Sequence, residues 1–190
     1  MAAGLARVEG VTPRTDHHGI EALIAAGSYR DAIARCAQVY ASALGRLCMA
    51  FTGSQAESEE LVQETLLAAF DALPTYRGEG SVRAWMFGIA RRICGRHTEM
   101  RVRRETKLRL VHDTGRGVDA AELSLAKERA ERARAALAKL KPSEREAVVL
   151  RFEADLSFRE VALACGIDEA AARKRVSRAL AKLRAEIGEE

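Results

Sequence analysis

Four polar side chains share one face of the last helix that the sequence predicts, and they are suited to reading DNA. They form two pairs one helical turn apart, and they are Arg173, Lys174, Ser177 and Arg178. Arginine can form two hydrogen bonds with the edge of a guanine in the major groove, which identifies the base. Arg175 lies at the border of this face, where contact with a phosphate is expected instead.

A helix-turn-helix is predicted to hold this face, over about residues 157–178. The capping box Ser157-x-x-Glu160 marks the start of its first helix. The small side chain of Ala162 lets the two helices cross closely, and Gly166 supplies the turn between them. Asp168 is expected to cap the second helix, whose apolar stripe faces inward. This arrangement would present the polar face to a major groove.

A second candidate site lies in a glycine-containing loop in the first half of the chain. The loop begins with Tyr76 and Arg77, and an aromatic ring beside a guanidinium can stack on and hydrogen-bond an unpaired base. The alternative for Tyr76 is that it packs under the loop as part of the core. The outer face of the next helix carries Arg91, Arg92 and Arg96, which suit contacts with phosphates.

A third candidate surface is the acidic face of the helix before that loop. The capping box Ser54-x-x-Glu57 is expected to open this helix. Glu60, Gln63 and Glu64 point away from its apolar stripe. They could therefore contact a basic, polar surface of a partner protein. The alternative is an acidic face that only meets solvent.

The composition favours a nucleic-acid partner over an enzymatic role. The chain has 190 residues, a net charge of +4 and a pI near 9.0. This small excess of positive charge slightly favours a nucleic-acid partner. No nucleophile–base pair and no phosphate-binding glycine loop is recognisable, so neither catalysis nor a cofactor is predicted. Cys94-x-x-His97 supplies half of a zinc site without a second half nearby, so no metal is predicted.

The apolar residues and the cysteines indicate where in the cell the protein is expected. No apolar run approaches the roughly 18 residues that span a bilayer, and the sequence does not open with a secretory signal pattern. The four cysteines form no Cys-x-x-Cys pair and fall within apolar helical patterns, which predicts reduced, buried thiols. We therefore expect a cytoplasmic protein without membrane insertion.

The periodicity predicts an all-α fold of two small helical domains joined by a flexible linker, because no segment alternates with the period of a strand. Trp85 falls on an apolar stripe and is expected in the core, and Ser143-x-x-Glu146 is expected to cap a helix. The predicted organisation is a tail with a short helix at 1–27, a first domain at 28–104, a basic linker at 105–130 and a second domain at 131–188.

Two motifs in series resemble those of extracytoplasmic-function (ECF) sigma factors of RNA polymerase. Residues 59–65, Glu-Glu-Leu-Val-Gln-Glu-Thr, together with 76–85 and 89–91, resemble region 2 of that family. Residues 140–152 and the helix-turn-helix after them resemble region 4. The resemblance implies a promoter recognition factor: region 2 would bind the −10 element and region 4 the −35 element.

The resemblance assigns partners to the candidate surfaces. It implies that Glu60, Gln63 and Glu64 bind the β′ clamp helices of core RNA polymerase, and it implies an anti-sigma factor. The chain departs from the usual pattern at Arg92, where asparagine is common, and at Gly88, where a basic residue often stands, so a typical −10 preference is not expected. The alternatives are a stand-alone helix-turn-helix regulator and an adaptor that only sequesters partners.

Overall fold

The computed structural model describes residues 17–109 and 125–187, and every regular element in these two ranges is helical. The elements are α1 (His17–Ala25), α2 (Tyr29–Thr52), α3 (Gln55–Ala72), a 3-10 turn (Leu73–Thr75), α4 (Val82–Arg109), α5 (Leu125–Lys139), α6 (Pro142–Phe152), α7 (Phe158–Cys165) and α8 (Glu169–Ile187). The all-α prediction is confirmed for this part of the chain. None of the described helices has the length and apolar character needed to cross a membrane.

Helices α1 to α4 form a first bundle, and its core contains the side chains that the apolar stripes predicted to be buried. Leu44 and Leu47 of α2 are fully buried, and Tyr40 meets Phe87 of α4 edge to face with ring centroids 6.3 Å apart. Gly53 ends α2 in the left-handed conformation, at φ 72°, where its N–H donates to the Met49 carbonyl. Glycine adopts this conformation without the strain that a Cβ would impose.

Helices α6 to α8 form a second bundle that contains the predicted helix-turn-helix. The Ser157 hydroxyl accepts a hydrogen bond from the Glu160 amide, and the Glu160 carboxylate accepts one from the Ser157 amide at 2.9 Å, which completes the capping box. Gly166 makes the turn with φ 65°. Asp168 Oδ1 accepts from the Ala171 amide at 2.7 Å, as expected for a helix cap.

Two of the predicted capping boxes differ from the structure. The Ser54 hydroxyl accepts from the Glu57 amide at 3.4 Å, but Glu57 returns no hydrogen bond to Ser54, so only half of that box exists. The box at Ser143 is wrong, because α6 begins at Pro142 and its N-cap is Lys141, two residues before the predicted cap. Proline is favoured at the first helical position, since its missing N–H would have no partner there.

The helix ends also differ from the predicted domain limits. Helix α4 continues to Arg109, into the predicted linker, and α5 begins at Leu125, also within it. Arginine, lysine and glutamate are good helix formers, so the basic stretch after residue 101 extends α4 despite its weak apolar pattern. The predicted tail at 1–16 and the linker residues 110–124 lie outside the described residues.

The two bundles pack directly against each other. Helix α7 of the second bundle lies on α4 of the first, and buried residues of both belong to one continuous apolar cluster. Arg83 of α4 donates to the Ala154 carbonyl at 2.6 Å, and Arg46 of α2 donates to the Glu153 carbonyl at 3.2 Å. The packing of α7 on α4 places the second bundle beside the loop that contains Tyr76.

Candidate nucleic-acid and protein interfaces

The outer face of α8 is exposed in the way that the sequence predicted. Its inward stripe is buried at Ala172 and Val176, and its four polar residues, Arg173, Lys174, Ser177 and Arg178, are exposed. Arg175 is half-buried at the edge of this face. A basic, exposed helix face of this kind can enter a major groove without any rearrangement of the second bundle.

Arg173 is held in place before any ligand arrives. Its guanidinium lies 4.5 Å from the centroid of the Phe158 ring, and it forms an ion pair with Glu169 one turn earlier on the same helix. Stacking on an aromatic face restricts the long side chain, while the N–H groups that do not meet Glu169 stay available. The sequence pattern identified the position of Arg173 but not its contact with Phe158.

The loop between α3 and α4 is closed by Tyr76. The Tyr76 hydroxyl donates to the Gly80 carbonyl at 2.5 Å, and its ring lies against Trp85 with centroids 5.2 Å apart. Burial raises the pKa of Tyr76, and the charge of Glu21 raises it further, so the hydroxyl remains a donor. Both aromatic side chains are half-buried, and Tyr76 packs against the core as the alternative interpretation expects, while its contact with an unpaired base stays a prediction.

A cavity of about 380 Å³ opens beside this aromatic pair. It is lined by residues of the loop, by the start of α4 and by Leu163 of α7. Arg77 stands at the rim with an exposed side chain, 4.0 Å from Glu79. A half-buried indole next to an exposed guanidinium offers a stacking surface and a hydrogen-bond donor to an unpaired base.

The three arginines predicted on one face of α4 have different surroundings. Arg92 and Arg96 are exposed, and Arg96 lies 3.6 Å from Glu64 of α3. Arg91 is half-buried and forms an ion pair with Glu146 of the second bundle, with 2.9 Å between Nη1 and Oε2. Its Nε also donates to the Ala164 carbonyl at 3.1 Å. The structure therefore leaves Arg92 and Arg96 accessible and places Arg91 between the two bundles.

The acidic face of α3 is exposed, and an apolar residue that the sequence reasoning missed stands beside it. Glu60, Gln63 and Glu64 are exposed, whereas Thr65 is buried. Leu67 follows Gln63 by one turn and has 67% of its surface exposed. Gln63 also lines a groove of about 730 Å³ between α2, α3 and α5. An apolar side chain beside polar ones is typical of protein interfaces.

Three of the four cysteines, Cys36, Cys48 and Cys94, are buried as predicted, whereas Cys165 is only half-buried. The Cys94 thiol points to Cys48 of α2, with the two sulfur atoms 3.6 Å apart, and both residues are buried. Within the two described ranges no group of three or more potential ligands could hold a metal ion.

Comparison with known proteins gives a consistent result over both bundles. The Sigma-70 region 2 family matches residues 37–105, and the Sigma-70 region 4 family matches residues 130–183. The ECF RNA polymerase sigma factor EcfG of Rhodopseudomonas palustris is 29% identical over 142 residues, which are 75% of this chain and 77% of that protein. BldN of Streptomyces coelicolor, also an ECF RNA polymerase sigma factor, is 31% identical over 164 residues, 80% of this chain and 60% of that protein.

Solved structures share the fold. CnrH, in complex with the cytosolic domain of CnrY, has a TM-score of 0.70 at 22% identity, over 90% of this chain and 99% of that one. The sigma factor RpoE of Bartonella quintana, in complex with the anti-sigma factor NepR, has a TM-score of 0.61 at 24% identity, over 81% and 95% of the two chains.

Proposed function

The chain belongs to the ECF sigma factors of RNA polymerase, and we propose that its two bundles divide promoter recognition between the exposed surfaces described above. A sigma factor binds core RNA polymerase and directs it to promoters, so the stand-alone regulator considered from the sequence is set aside. Nucleotide addition belongs to the polymerase, and we infer that this chain itself catalyses no reaction. Its place of action is then the cytoplasm.

Recognition of the −35 element is assigned to α8 of the second bundle, proposed as region 4 over residues 131–188. The observation that supports it is the exposed polar face opposite the buried stripe at Ala172 and Val176. Arg173 would bind a base edge, because Phe158 and Glu169 already hold its guanidinium in one place. Arg175, which is half-buried at the edge, would bind a phosphate.

Recognition of the −10 element is assigned to the loop and α4 of the first bundle, proposed as region 2 over residues 28–104. An unpaired base would enter the cavity beside Trp85, with Tyr76 holding the loop closed and Arg77 binding at the rim. Arg92 and Arg96 would bind phosphates of the melted strand. Such contacts offset the few kcal/mol needed to unstack a base.

Polymerase binding is assigned to the exposed face of α3. Glu60, Gln63 and Glu64 supply acidic and polar groups, and Leu67 supplies an apolar contact at the next turn. The β′ clamp helices of core polymerase are the proposed partner, and the linker at 105–130 would join the two promoter-binding parts. CnrH and RpoE share this fold and are bound by CnrY and by the anti-sigma factor NepR. We propose that this chain also has an anti-sigma factor.

The test is co-elution of the full chain with core RNA polymerase, with two variants of Gln63 alongside. Gln63→Arg places a positive charge on the acidic face and should abolish co-elution, whereas Gln63→Glu keeps the sign of the face and should retain it. Both variants should show the helical circular-dichroism signal of the original chain, because Gln63 is exposed. Absence of any complex with the original chain, at low and moderate salt, would contradict the proposal.

A further inference from the structure

A second cavity lies between the loop that contains Tyr76 and helix α1. Its volume is about 310 Å³, at the lower end of the roughly 300–1,000 Å³ that is usual for small-molecule pockets. The residues that line this α1 cavity come from α1 and from the loop, and they are Glu21, Ile24, Ala25, Tyr76, Arg77 and Gly78. All of them belong to the first bundle, so the α1 cavity does not depend on the packing of the second.

Helix α1 is fixed against the first bundle. Ile20 is fully buried, and Ile24 packs against the same apolar core. Beyond the last residue of α1, the Ser28 amide donates to the Leu23 carbonyl at 2.9 Å, which ties the end of the helix to the start of α2. Glu21 follows Ile20 and is exposed, so a firmly packed helix carries its carboxylate at the cavity.

The two charged side chains at the α1 cavity have opposite hydrogen-bonding capacities. Glu21 offers two acceptor oxygens, whereas the exposed guanidinium of Arg77 offers only donors. Ile24 supplies an apolar wall, and Tyr76 lines both this cavity and the one of about 380 Å³. A flat ligand with donors on one edge and acceptors on another fits this arrangement.

The carboxylate of Glu21 lies within electrostatic range of the loop. Burial raises the pKa of Tyr76, and the charge of Glu21 raises it further. The donor and the acceptor of the α1 cavity therefore come from two elements that lie next to each other, Arg77 from the loop and Glu21 from the helix.

Guanine is the nucleobase whose hydrogen-bonding groups match this pair of side chains best. Its N1–H and N2–H groups are adjacent donors, which one carboxylate can accept in two parallel bonds, and its O6 accepts from a guanidinium. Adenine and cytosine each offer a carboxylate a single amino group, and thymine offers none. In a duplex the partner base occupies the N1–H and N2–H groups, so Glu21 can bind them only in an unpaired guanine.

We propose that the α1 cavity binds an unpaired guanine of the melted promoter strand, with Glu21 as the residue that selects it and Arg77 as the donor to its O6. This inference rests on the proposed function of the loop, and it adds a second base site on the side of the loop that faces α1. The Sigma-70 region 2 match begins at residue 37, after α1. Helix α1 thus contributes to recognition as well as to packing.

Single-stranded pentamers test the site in the free full-length chain. Each pentamer has four thymines around a central guanine, hypoxanthine or thymine, so only the central base differs. Binding is followed through the NMR signal of the Ile24 δ-methyl group, which lies in the cavity wall. The guanine pentamer should bind about tenfold more tightly than the thymine pentamer, because it adds hydrogen bonds to a charged carboxylate. Hypoxanthine lacks the N2 amino group and should give an intermediate affinity.

Two outcomes of this titration would overturn the proposal. One is equal affinity for the guanine and thymine pentamers. The other is a guanine pentamer that binds without shifting the Ile24 methyl signal, because the base would then lie outside the α1 cavity.

Glu21→Gln tests the selecting residue. The substitution keeps the length of the side chain and removes its charge, so the ratio of guanine to thymine affinity should fall to about threefold or less. Asp31→Asn is the matched control, because Asp31 is also exposed but lies in the first turn of α2 and does not line the cavity. It should keep the tenfold ratio. An equal fall in both variants would overturn the role of Glu21.

This test is separable from that of the proposed polymerase surface, because the pentamers bind the free chain. A chain that co-elutes with core polymerase but shows no guanine preference would overturn the α1 cavity as a base site and leave the surface on α3 intact. A guanine preference that depends on Glu21, in a chain that does not co-elute, would support the base site and contradict the proposed polymerase surface.

Discussion

Tyr76 donates a hydrogen bond to the carbonyl oxygen of Gly80 across 2.5 Å, and this contact closes the loop between α3 and α4. The ring of Tyr76 lies against Trp85, so the loop and the first turn of α4 share one aromatic pair. The loop is thus already shaped for the unpaired base that we propose it binds. Preorganisation of this kind lowers the conformational cost of binding.

Tyr76→Phe should separate the hydrogen bond from the ring contact. The phenylalanine keeps the packing on Trp85 but loses the bond to Gly80, so the free energy of unfolding should fall by about 1 kcal/mol. Urea unfolding followed by Trp85 fluorescence measures this change. Tyr76→Ala should lower the free energy of unfolding further, because it also removes the ring. Equal stability of Tyr76→Phe and the original chain would show that the bond contributes nothing measurable.

Arg173 and Arg175 should have different effects on −35 recognition. Arg173→Ala should relax the preference at one −35 position and cost about 1–3 kcal/mol there, whereas Arg175→Ala should weaken binding evenly across sequences. The preferred −35 sequence is first obtained by selection from a random duplex library. Binding to all single-base variants of that sequence then gives a profile for each protein. Identical profiles for the two variants would contradict the assigned face of α8.

The helix-turn-helix of the second bundle could be predicted closely from the sequence because its signals are local. The capping box at Ser157 and Glu160 and the cap at Asp168 act within one helical turn, so the neighbouring residues alone determine them. The same holds for the stripe of α8, which places Arg173 outside and Val176 inside. Local propensity and apolar period agree at each of these positions.

Contacts between distant segments could not be predicted in this way. Arg91 meets Glu146, which lies 55 residues away, and only the packing of α7 on α4 brings the two together. Leu66 lies on the apolar stripe of α3 and is half-buried, whereas Leu67 lies one turn after Gln63 on the polar face and is exposed. The helical period assigns both positions to a face, but only the tertiary structure shows what covers each face.

Leu67 should contribute to polymerase binding without contributing to stability. Leu67→Asn removes an exposed apolar group beside Gln63, so the affinity for core polymerase should fall by about tenfold, or 1.4 kcal/mol. Fluorescence anisotropy of the labelled full chain, titrated with core enzyme, gives the affinity. Met100→Asn is the control, because Met100 is also exposed but lies on α4. Loss of affinity in the control alone would move the interface away from α3.

Glu160 should make the stability of the chain depend on pH in the acid range. Burial tends to raise its pKa, but the hydrogen bonds from Ser157 and Ser81 and the charge of Arg83 outweigh burial and hold the pKa below its ordinary value. A lowered folded-state pKa gives stability that is present above the unfolded value, about 4.3, and is lost as the pH falls through the folded value.

Glu160→Gln should therefore cost stability near neutral pH and very little in strong acid. The measurement is the urea midpoint of both chains at about pH 6.5, 4.5 and 3, on either side of the unfolded pKa. The difference between the two chains should shrink as the pH falls. Glu153→Gln, at an exposed position of the same bundle, controls for removal of a surface charge. A constant difference at all three pH values would exclude the carboxylate charge as the cause.

The thiols of the first bundle should resist modification until the chain unfolds. Cys36, Cys48 and Cys94 are fully buried, and burial raises the pKa of Cys36 to about 11. The hydrogen bond that Cys94 donates to Cys48, together with burial, also raises the pKa of Cys94. Because the thiolate is the reactive form, both protection from solvent and protonation slow the reaction.

Ellman's reagent applied to the native chain should label Cys165 first, since that thiol is only half-buried. All four cysteines should react once the chain is unfolded in guanidinium chloride. Cys165→Ser should remove the early phase and leave the other three thiols slow, because they lie in the first bundle and not in the second. Fast labelling of two or three thiols in native Cys165→Ser would show that α2 and α4 separate readily, and a stable packing of Cys48 against Cys94 would then be excluded.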